Sequence, residues 1–182
     1  MIISGPPAIG KTTVAKGLAE EFNLKHLSGG DILKEMAGDE GFSPKGDDWW
    51  DTNDGMNFLA KRKTDTKFDK KVDEKLKNIF HQSGVVITSY TLPWLVNDGI
   101  KIWLSGSFEN SARRMKTRDN VTESDALKVV KKRFDENKEI YKSLYNFEFG
   151  EDLSVFNKII NTDDLNAVEV LDIAKLTVRE LL

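Results

Sequence analysis

The sequence predicts an α/β fold, in which a parallel β-sheet is flanked by helices. Short apolar runs that are typical of buried strands recur along the chain, and amphipathic helical segments separate them. This alternation favours a parallel sheet, because the connection between two parallel neighbouring strands needs about a helix of chain. A glycine-rich loop between the first strand and the first helix is typical of the same class of fold.

Five strands are expected, separated by segments with helical periodicity. The clearest strand contains Val85-Val86-Ile87, whose continuous β-forming residues are expected where both faces of a strand are buried. Asp31 is the predicted N-cap of the second helix. The predicted strands are 1–3, 24–28, 85–90, 100–104 and 158–160, and the predicted helices are 13–22, 31–37, 68–80, 109–118, 124–145 and the segment after Asn166.

A chain of 182 residues is most simply one domain with a substantial core. The predicted strands and their adjoining helices assign this core to residues 1–30, 81–112 and 146–182. Two helical segments are inserted into the framework, at about residues 31–80 and 113–145. Ligands of parallel sheets bind beyond the carboxyl ends of the strands, so we expect the site at that edge.

The composition excludes several classes of protein. A net charge of −3 and a pI near 5.5 argue against a surface that binds a nucleic-acid polymer. The chain contains no cysteine, so it has neither disulfides nor a thiolate metal site. No apolar run approaches the length of a membrane span, and the first residues do not resemble a secretory signal. We therefore expect a cytoplasmic monomer without membrane contact.

Residues 5–12 read G-x-x-x-x-G-K-T, the motif of a phosphate-binding loop (P-loop), between a strand and a helix. Glycine lets the backbone curl so that successive N–H groups point at one anion, and the helix adds its positive N-terminal end. Lys11 is placed to reach the β- and γ-phosphates, and the Thr12 hydroxyl to bind Mg²⁺. The sequence therefore predicts a P-loop NTPase-type fold. The residues predicted to bind the nucleoside triphosphate are Gly5, Pro6, Pro7, Ala8, Ile9, Gly10, Lys11, Thr12 and Thr13.

A P-loop alone does not distinguish kinases from switches, motors or helicases. Motors and helicases need further domains, and a guanine-specific switch would show an N-K-x-D motif, which this sequence lacks. A short chain with two helical insertions fits a small-molecule kinase, because phosphoryl transfer needs donor and acceptor held in line and shielded from water. One insertion is then expected to hold the acceptor and the other to close over the donor.

Basic residues are concentrated in the second insertion, the expected lid. Arg114 and Arg118 are four residues apart and so share one helical face, and Arg133 follows on the next helix. The planar fork of arginine can grip phosphate oxygens and neutralise the charge that develops during transfer. We therefore predict Lys11, Arg114, Arg118 and Arg133 as catalytic residues. The alternative is that the arginines form a charged face in solvent.

Five segments together extend over nearly the whole chain: I-S-G-P-P-A-I-G-K-T-T-V-A-K at 3–16, S-G-G-D-I-L-K-E at 28–35, I-K-I-W-L at 100–104, R-R-M-K-T-R-D-N-V at 113–121 and I-Y-K-S-L-Y at 140–145. In these segments the chain resembles the archaeal cytidylate kinase branch of the P-loop nucleoside monophosphate kinases. The first segment is widely shared among P-loop kinases, and the second is more telling of monophosphate kinases. The resemblance implies ATP with Mg²⁺ as donor, CMP or dCMP as acceptor, and a lid that contributes arginines.

The sequence departs from the pattern of that family at Ala8, where relatives commonly have a glycine that the motif does not require, and in two places that concern the acceptor and the metal. Relatives usually carry an arginine where Lys34 stands, and lysine lacks the bidentate fork that grips a phosphate. Relatives also carry an acidic residue and an arginine just after the third strand, where this chain has Thr88-Ser89-Tyr90-Thr91. Asp31 is a candidate to replace the carboxylate, and Arg62 or Lys63 to reach the acceptor phosphate.

The first insertion carries the residues predicted to bind the acceptor. Two adjacent tryptophans offer flat faces that suit a nucleobase, and the alternative is that both pack against the core. Nearby carboxylates could accept hydrogen bonds from a cytosine amino group. The predicted acceptor-binding residues are Asp31, Lys34, Trp49 and Trp50, and the nearby carboxylates are those of Asp47, Asp48, Asp51 and Asp54.

Two further acidic residues, Asp69 and Asp73, share one face of a predicted helix. They are either substrate contacts or part of a solvated flank beside several lysines. The sequence leaves these two interpretations open.

Other functions also remain open. An adenylate kinase or another nucleotide kinase is one, since S-G-G-D-I-L-K also resembles the acceptor helix of adenylate kinases. An ATP-binding regulator or slow NTPase without acceptor transfer is another, because it would account for the missing charges after Ile87. The function that we expect is transfer of the γ-phosphoryl group of ATP to CMP or dCMP.

Overall fold

The computed structural model describes residues 1–46 and 49–182, which contain one five-stranded sheet with helices on both faces. All neighbouring strands run parallel, and Ile2 lies opposite both Ile87 and Lys101. The predicted α/β fold class is thereby confirmed. The strands are β1 (Ile2–Ser4), β2 (Lys25–Ser28), β3 (Val85–Thr88), β4 (Lys101–Ser105) and β5 (Lys158–Asn161), in the spatial order β2-β3-β1-β4-β5.

All but the last of the helices in the described residues lie in the connections between these strands, and the last follows β5. Three helices and a short 3-10 turn (Trp49–Asp51) lie between β2 and β3, and two long helices lie between β4 and β5. The helices are α1 (Lys11–Glu21), α2 (Gly29–Asp39), α3 (Asn53–Thr64), α4 (Lys67–His81), α5 (Leu92–Leu95), α6 (Phe108–Asp119), α7 (Glu123–Tyr145) and α8 (Ala167–Leu181).

Successive residues of the central strand β1 enter separate cores on the two faces of the sheet. Ile2 packs in a cluster with side chains of α2 and α4, including Leu76. Ile3 packs in a second cluster with side chains of α1 and α8, including Leu18 and Val178. This division follows from the two-residue period of a strand. Because helices cover both faces, the strands read as continuous apolar runs in the sequence.

Helix α2 begins two residues earlier than the sequence predicts. Its N-cap is Ser28, whose hydroxyl accepts a hydrogen bond from the Asp31 N–H at 3.4 Å, so the prediction of Asp31 as the N-cap is wrong. A β-carbon on Gly29 would lie 3.2 Å from Leu76, which shows how closely this turn approaches α4. Because the Ser28 hydroxyl caps the helix, the Asp31 carboxylate remains available at the cavity edge.

Helices α6 and α7 are joined by residues 120–122 and pack against each other as a helical hairpin. Ala112 and Met115 of α6 pack against Ala126 and Val130 of α7 in a small core of their own. Helix α7 also packs against α3, so the connection between β4 and β5 contacts the connection between β2 and β3. Within the described residues, none of the helices combines the length and apolar character that a membrane crossing would need.

Candidate active site

The P-loop joins β1 to α1, and two glycines give it a conformation that other residues rarely adopt. The φ angles are +148° at Gly5 and +101° at Gly10. A β-carbon on Gly5 would lie 2.4 Å from the carbonyl oxygen of Leu104 on β4, so glycine alone fits there. Gly10 is the N-cap of α1 and has no side chain, which leaves the first amides of that helix to an anion.

Lys11, the first residue of α1, lies folded over the loop. Its Nζ donates to the carbonyl oxygens of Gly5 at 2.9 Å and Pro6 at 2.5 Å, and lies 4.7 Å from the centre of the Tyr90 ring. Burial lowers the pKa of Lys11 well below its usual value, and the nearby Arg133 guanidinium lowers that pKa further. An anion bound at the loop would favour the charged form of this lysine.

The three arginines predicted for the lid line the same cavity as the P-loop, but Arg114 stands apart from the other two. Its guanidinium donates to the carbonyl oxygen of Ile9, within the loop, and at 3.2 Å to that of Thr162, just after β5. Burial lowers the pKa of Arg114. These contacts hold α6 against the P-loop. The four-residue spacing of Arg114 and Arg118 therefore does not bring the two onto a common partner.

Asp51 joins the other two lid arginines. Its carboxylate is 7% exposed and pairs with both Arg118 and Arg133. Arg118 also pairs with Asp119, a contact that raises the pKa of Arg118. Burial raises the pKa of Asp51, and the two arginines oppose that rise. Because Asp51 precedes α3 and the arginines belong to α6 and α7, this cluster joins the two connections across the cavity.

Three of the predicted acceptor-binding residues, Asp31, Lys34 and Trp50, line the cavity. The Asp31 and Lys34 side chains lie 3.9 Å apart, and the Asp31 carboxylate is 66% exposed. Lys34 also donates to the carbonyl oxygen of Gly46 at 2.9 Å. A cation and an exposed carboxylate thus lie together at the start of the first insertion.

The fourth predicted acceptor-binding residue, Trp49, is buried in the core. It is 2% exposed, and its ring packs edge-on against Trp50 with centroids 4.8 Å apart. Phe58 lies 5.9 Å away in the same aromatic cluster. The prediction that Trp49 stacks on a substrate base is therefore wrong, because its ring is enclosed in the core.

Of the four carboxylates near the tryptophans, the two that the structure describes, Asp51 and Asp54, are engaged by other groups of the protein. Asp47 and Asp48 lie outside the described residues. Asp51 is bound by two arginines, as described above. Asp54 accepts a hydrogen bond from the Ser43 N–H at 3.1 Å, near the surface.

A buried ion pair between Arg62 of α3 and Asp69 of α4 lines the far part of the cavity. Arg62 Nη2 lies 2.5 Å from Asp69 Oδ1, and Nε lies 3.0 Å from Oδ2. Arg62 also approaches Asn137 at 3.3 Å and the Tyr141 hydroxyl at 3.5 Å, both on α7. Burial lowers the pKa of Arg62, but the Asp69 carboxylate outweighs it and raises the net value. The alternative candidate Lys63 pairs with Glu139 at the surface, at 2.8 Å.

Asp73 lies one turn further along α4 and also lines the cavity. Its carboxylate accepts hydrogen bonds from the hydroxyls of Thr91 and of Tyr145, the latter at 2.7 Å. Asp69 and Asp73 are only 3% and 4% exposed, so the interpretation of a solvated flank is wrong for both. The neighbouring lysines suggested a solvent-facing helix side, but these lysines are exposed on the other side of α4.

Further polar residues of the cavity were missed by the sequence reasoning. Tyr90 lies next to Lys11, and Asn137 and Tyr141 lie next to Arg62. A signal for the last two exists, since Arg133, Asn137 and Tyr141 recur at four-residue intervals and so share one face of α7. Which way that face points could not be read from the sequence.

The cavity has a volume of about 770 Å³ and is continuous from the P-loop to the buried polar residues of α3, α4 and α7. This size lies within the roughly 300–1,000 Å³ range of small-molecule sites. One end offers amides, a lysine and arginines, and the other offers carboxylates, an amide and a phenol. Such a cavity can hold two ligands end to end, with the anionic groups of both near Lys11.

The site suits a magnesium ion that arrives with its nucleotide. Mg²⁺ prefers oxygen ligands, keeps several waters, and is commonly bound by one or two side chains together with substrate phosphates. The Thr12 hydroxyl and the Asp31 carboxylate are both exposed in the cavity and meet that description. Among residues 1–46 and 49–182, no group of three His, Cys, Asp or Glu side chains is arranged to hold a metal ion.

The protein combines a P-loop on a parallel sheet with a basic helical hairpin. The buried polar residues of α3, α4 and α7 form a second chamber at the other end of the same cavity, the far chamber. This combination defines the class of P-loop phosphotransferases. Comparison with solved structures agrees on the fold. An uncharacterised protein from Eubacterium ventriosum superposes with a TM-score of 0.70 at 20% identity, covering 98% of this chain and 97% of that one. A shikimate kinase from Bacteroides thetaiotaomicron gives 0.58 at 15% identity, covering 99% and 95%.

Comparison of sequences identifies the family. Residues 2–164 match the model of the Cytidylate kinase-like family, and the chain belongs to that family. The cytidylate kinase of Sulfurisphaera tokodaii is 32% identical over 173 residues, covering 93% of this chain and 89% of the relative. The cytidylate kinase of Methanocaldococcus jannaschii is 30% identical over 184 residues, covering 98% and 97%. The resemblance expected from the motifs is thereby confirmed.

The buried Arg62–Asp69 pair yields a test of the far chamber. Asp69→Ala should destabilise the protein by about 3–5 kcal/mol, because it leaves the Arg62 guanidinium buried without its counter-charge. Denaturant unfolding at pH 7 measures the change. The control is Glu151→Ala, which removes the partner of Lys138 from an exposed pair and should change stability little. Equal effects of the two substitutions would contradict the burial of the Arg62 pair.

Proposed function

We propose that this chain is a nucleoside monophosphate kinase that transfers the γ-phosphoryl group of Mg·ATP to CMP or dCMP, giving ADP and CDP or dCDP. The observation that carries the proposal is that one continuous cavity joins Lys11 and the lid arginines to the buried polar residues of the far chamber. Membership in the Cytidylate kinase-like family, with archaeal relatives named cytidylate kinase, supports CMP as the acceptor.

On the donor side, the P-loop amides and the start of α1 bind the triphosphate of ATP. Lys11 then exchanges its contacts with Gly5 and Pro6 for the β- and γ-phosphates. Lys11 is partly buried there and its charged form is disfavoured, so the arriving anion supplies a partner at the place where charge develops. The Thr12 hydroxyl holds the magnesium ion, which neutralises phosphate charge when it is bound.

On the lid side, Arg118 and Arg133 close over the transferred group. Both are paired with Asp51, and a phosphoryl group carries the same kind of anionic oxygens that these guanidinium groups already bind. Arg133 is the closer to the reaction, since its charge acts on Lys11. Arg114 serves the same step indirectly by holding the P-loop through the Ile9 carbonyl.

On the acceptor side, Asp31 and Lys34 face the incoming phosphate, and Trp50 borders the nucleoside. A monophosphate has a second pKa near 6 and is therefore already nucleophilic at neutral pH, so no side chain has to remove a proton. This agrees with a chain whose post-β3 segment carries hydroxyl groups rather than a charged pair. We further propose that the enzyme is cytoplasmic and acts as a monomer. Size-exclusion chromatography with light scattering would test the oligomeric state.

The function is tested by the nucleotide that the enzyme accepts. Initial rates of ADP release with Mg·ATP should show kcat/KM for CMP or dCMP at least about tenfold above that for UMP, AMP and GMP, with stoichiometric diphosphate formed. Preference for AMP would identify an adenylate kinase instead. ATP hydrolysis that is indifferent to all five nucleotides would indicate a regulator or slow NTPase and would overturn the proposal.

Removal of the P-loop lysine tests the donor site. Lys11→Ala should lower kcat for CMP phosphorylation by about 10²–10³-fold or more, because a charge that stabilises the transition state is lost. Steady-state kinetics measure this, and circular dichroism checks the fold. The matched control is Lys128→Ala, since Lys128 is 75% exposed on α7 and should leave kcat unchanged. Near-normal turnover by the Lys11 variant would remove the basis for the proposed donor site.

Lys34 tests the acceptor side. Lys34→Ala should raise the KM for CMP more than the KM for ATP, because its ammonium group adjoins Asp31 rather than the P-loop. Lys34→Arg should retain CMP binding, since a guanidinium keeps the charge and adds a bidentate fork. Lys75→Ala, at an exposed position on α4, is the control. Equal effects of Lys34→Ala on the two KM values would place this residue elsewhere in the reaction.

A further inference from the structure

The side of the cavity formed by α7 changes its chemistry along the helix. Arg133, Asn137 and Tyr141 line it at four-residue intervals, and Tyr145 follows at the same interval just beyond the lining. The Cα atoms of these four residues span about 18 Å, since an α-helix rises about 1.5 Å per residue. Arg133 lies at the end near Lys11, Asn137 and Tyr141 contact Arg62, and Tyr145 contacts a carboxylate. Along α7 the cavity therefore presents a cation first and then neutral hydrogen-bonding groups beside the internally paired Arg62 and Asp69. The Asp73 carboxylate follows at the end of the series. That is the order of a phosphate, a sugar and a base that carries an amino group.

We propose that the Asp73 carboxylate accepts a hydrogen bond from the exocyclic amino group of cytosine and so determines the choice of CMP over UMP. The inference rests on the proposed function, and it names the residue that sets the specificity of the same site.

The geometry of Asp73 leaves room for such a contact. A carboxylate can accept about four hydrogen bonds. Thr91 donates to Oδ1 and Tyr145 to Oδ2, so each oxygen keeps accepting capacity. The side chain is 4% exposed yet borders the cavity, so a base that reaches it is shielded from water. A carboxylate has no proton to donate, so it attracts the amino group of cytosine and repels the carbonyl oxygen at the same position of uracil.

The other carboxylates that border the cavity in the described residues are bound to cations. Asp69 is held on both oxygens by Arg62, and Asp51 is held by two arginines. Asp31 is 66% exposed beside the Lys34 ammonium group. Asp73 differs from them because its hydrogen-bond partners are neutral hydroxyls. Its charge is therefore the one among these four that a neutral amino group can satisfy without breaking an ion pair.

Ionisation of the buried Asp73 carboxylate also lowers the free energy of unfolding at neutral pH. Burial raises its pKa from the ordinary value of 3.8 to about 6, although hydrogen bonds from Thr91 and Tyr145 oppose the rise. Asp69 adds to it and Arg62 opposes it. Because the folded-state pKa lies above the unfolded one, stability falls as the pH rises from about 4 to above 6. A buried charge that weakens the fold at neutral pH is typical of a binding site.

The decisive experiment replaces the carboxylate by its amide. Asp73→Asn keeps the shape of the side chain but offers an N–H₂ group, which can donate to the carbonyl oxygen of uracil. We expect kcat/KM for CMP to fall and that for UMP to rise, so that their ratio drops by at least about tenfold relative to the unchanged enzyme. The control is Glu74→Gln, which removes the same charge at the exposed neighbouring position and should leave the ratio unchanged.

Stability provides a second readout on the same variant. The free energy of unfolding of Asp73→Asn, relative to the unchanged protein, should increase between pH 4.5 and pH 7.5, because the variant has no carboxylate to ionise. If Asp73→Asn does not fold, Asp73→Ser serves in its place. Its small hydroxyl can pair with either base, so the ratio of CMP to UMP should approach one.

The outcomes separate this inference from the proposed function. An unchanged enzyme that phosphorylates CMP and UMP equally well would refute the proposed function, and the inference with it. An unchanged enzyme that prefers CMP, together with an Asp73 variant that keeps the same preference, would overturn the role of Asp73 alone. Loss of the preference in the Asp73 variants and its retention in Glu74→Gln would support the assignment.

Discussion

The close approach of the P-loop to strand β4 is the constraint on which the site depends. Gly5 lies so near the Leu104 carbonyl that a β-carbon would come within 2.4 Å of it. The loop can turn there because glycine tolerates a φ of +148°, and the turn directs the start of α1 toward the cavity. Arg114 fixes the other end of the loop through the Ile9 carbonyl. The anion-binding amides are thus positioned by backbone contacts from two further parts of the fold.

Three of the four arginines that line the cavity are paired with carboxylates, and the fourth, Arg114, binds backbone carbonyls. Asp51 holds Arg118 and Arg133 near the phosphate end, and Asp69 holds Arg62 in the far chamber. A buried ion pair adds little to stability by itself, but the loss of one partner is costly. The first of these clusters has an exposed member, Arg118, whose side chain is 42% exposed. The second borders the cavity but is only 3% exposed on either side chain, so it shapes the wall of the chamber.

The fold and the P-loop could be predicted from the sequence because both depend on local chemistry. The strands around Ile3 and Ile87 read as short runs of β-forming residues, and the P-loop lies between a strand and a helix whose periodicities are plain. Trp49 and Asp69 were harder, because neither pattern nor residue type says which neighbours enclose a side chain. Trp49 is buried by Phe58 and Trp50, which the turn at its own position brings together. Asp69 is buried by Arg62, seven residues earlier, on a different helix.

The sequence by itself determined that this chain is an α/β protein with a P-loop that contains a lysine followed by a threonine. It also carried the motifs that are shared with the Cytidylate kinase-like family. The tertiary structure decided which polar residues of the two insertions meet, because that depends on how α3, α4 and α7 cross rather than on any one segment. Residues 69, 73, 137 and 141 lie far apart in the chain but border one chamber. Short-range periodicity places a residue on a face of its helix, and only packing decides what that face meets.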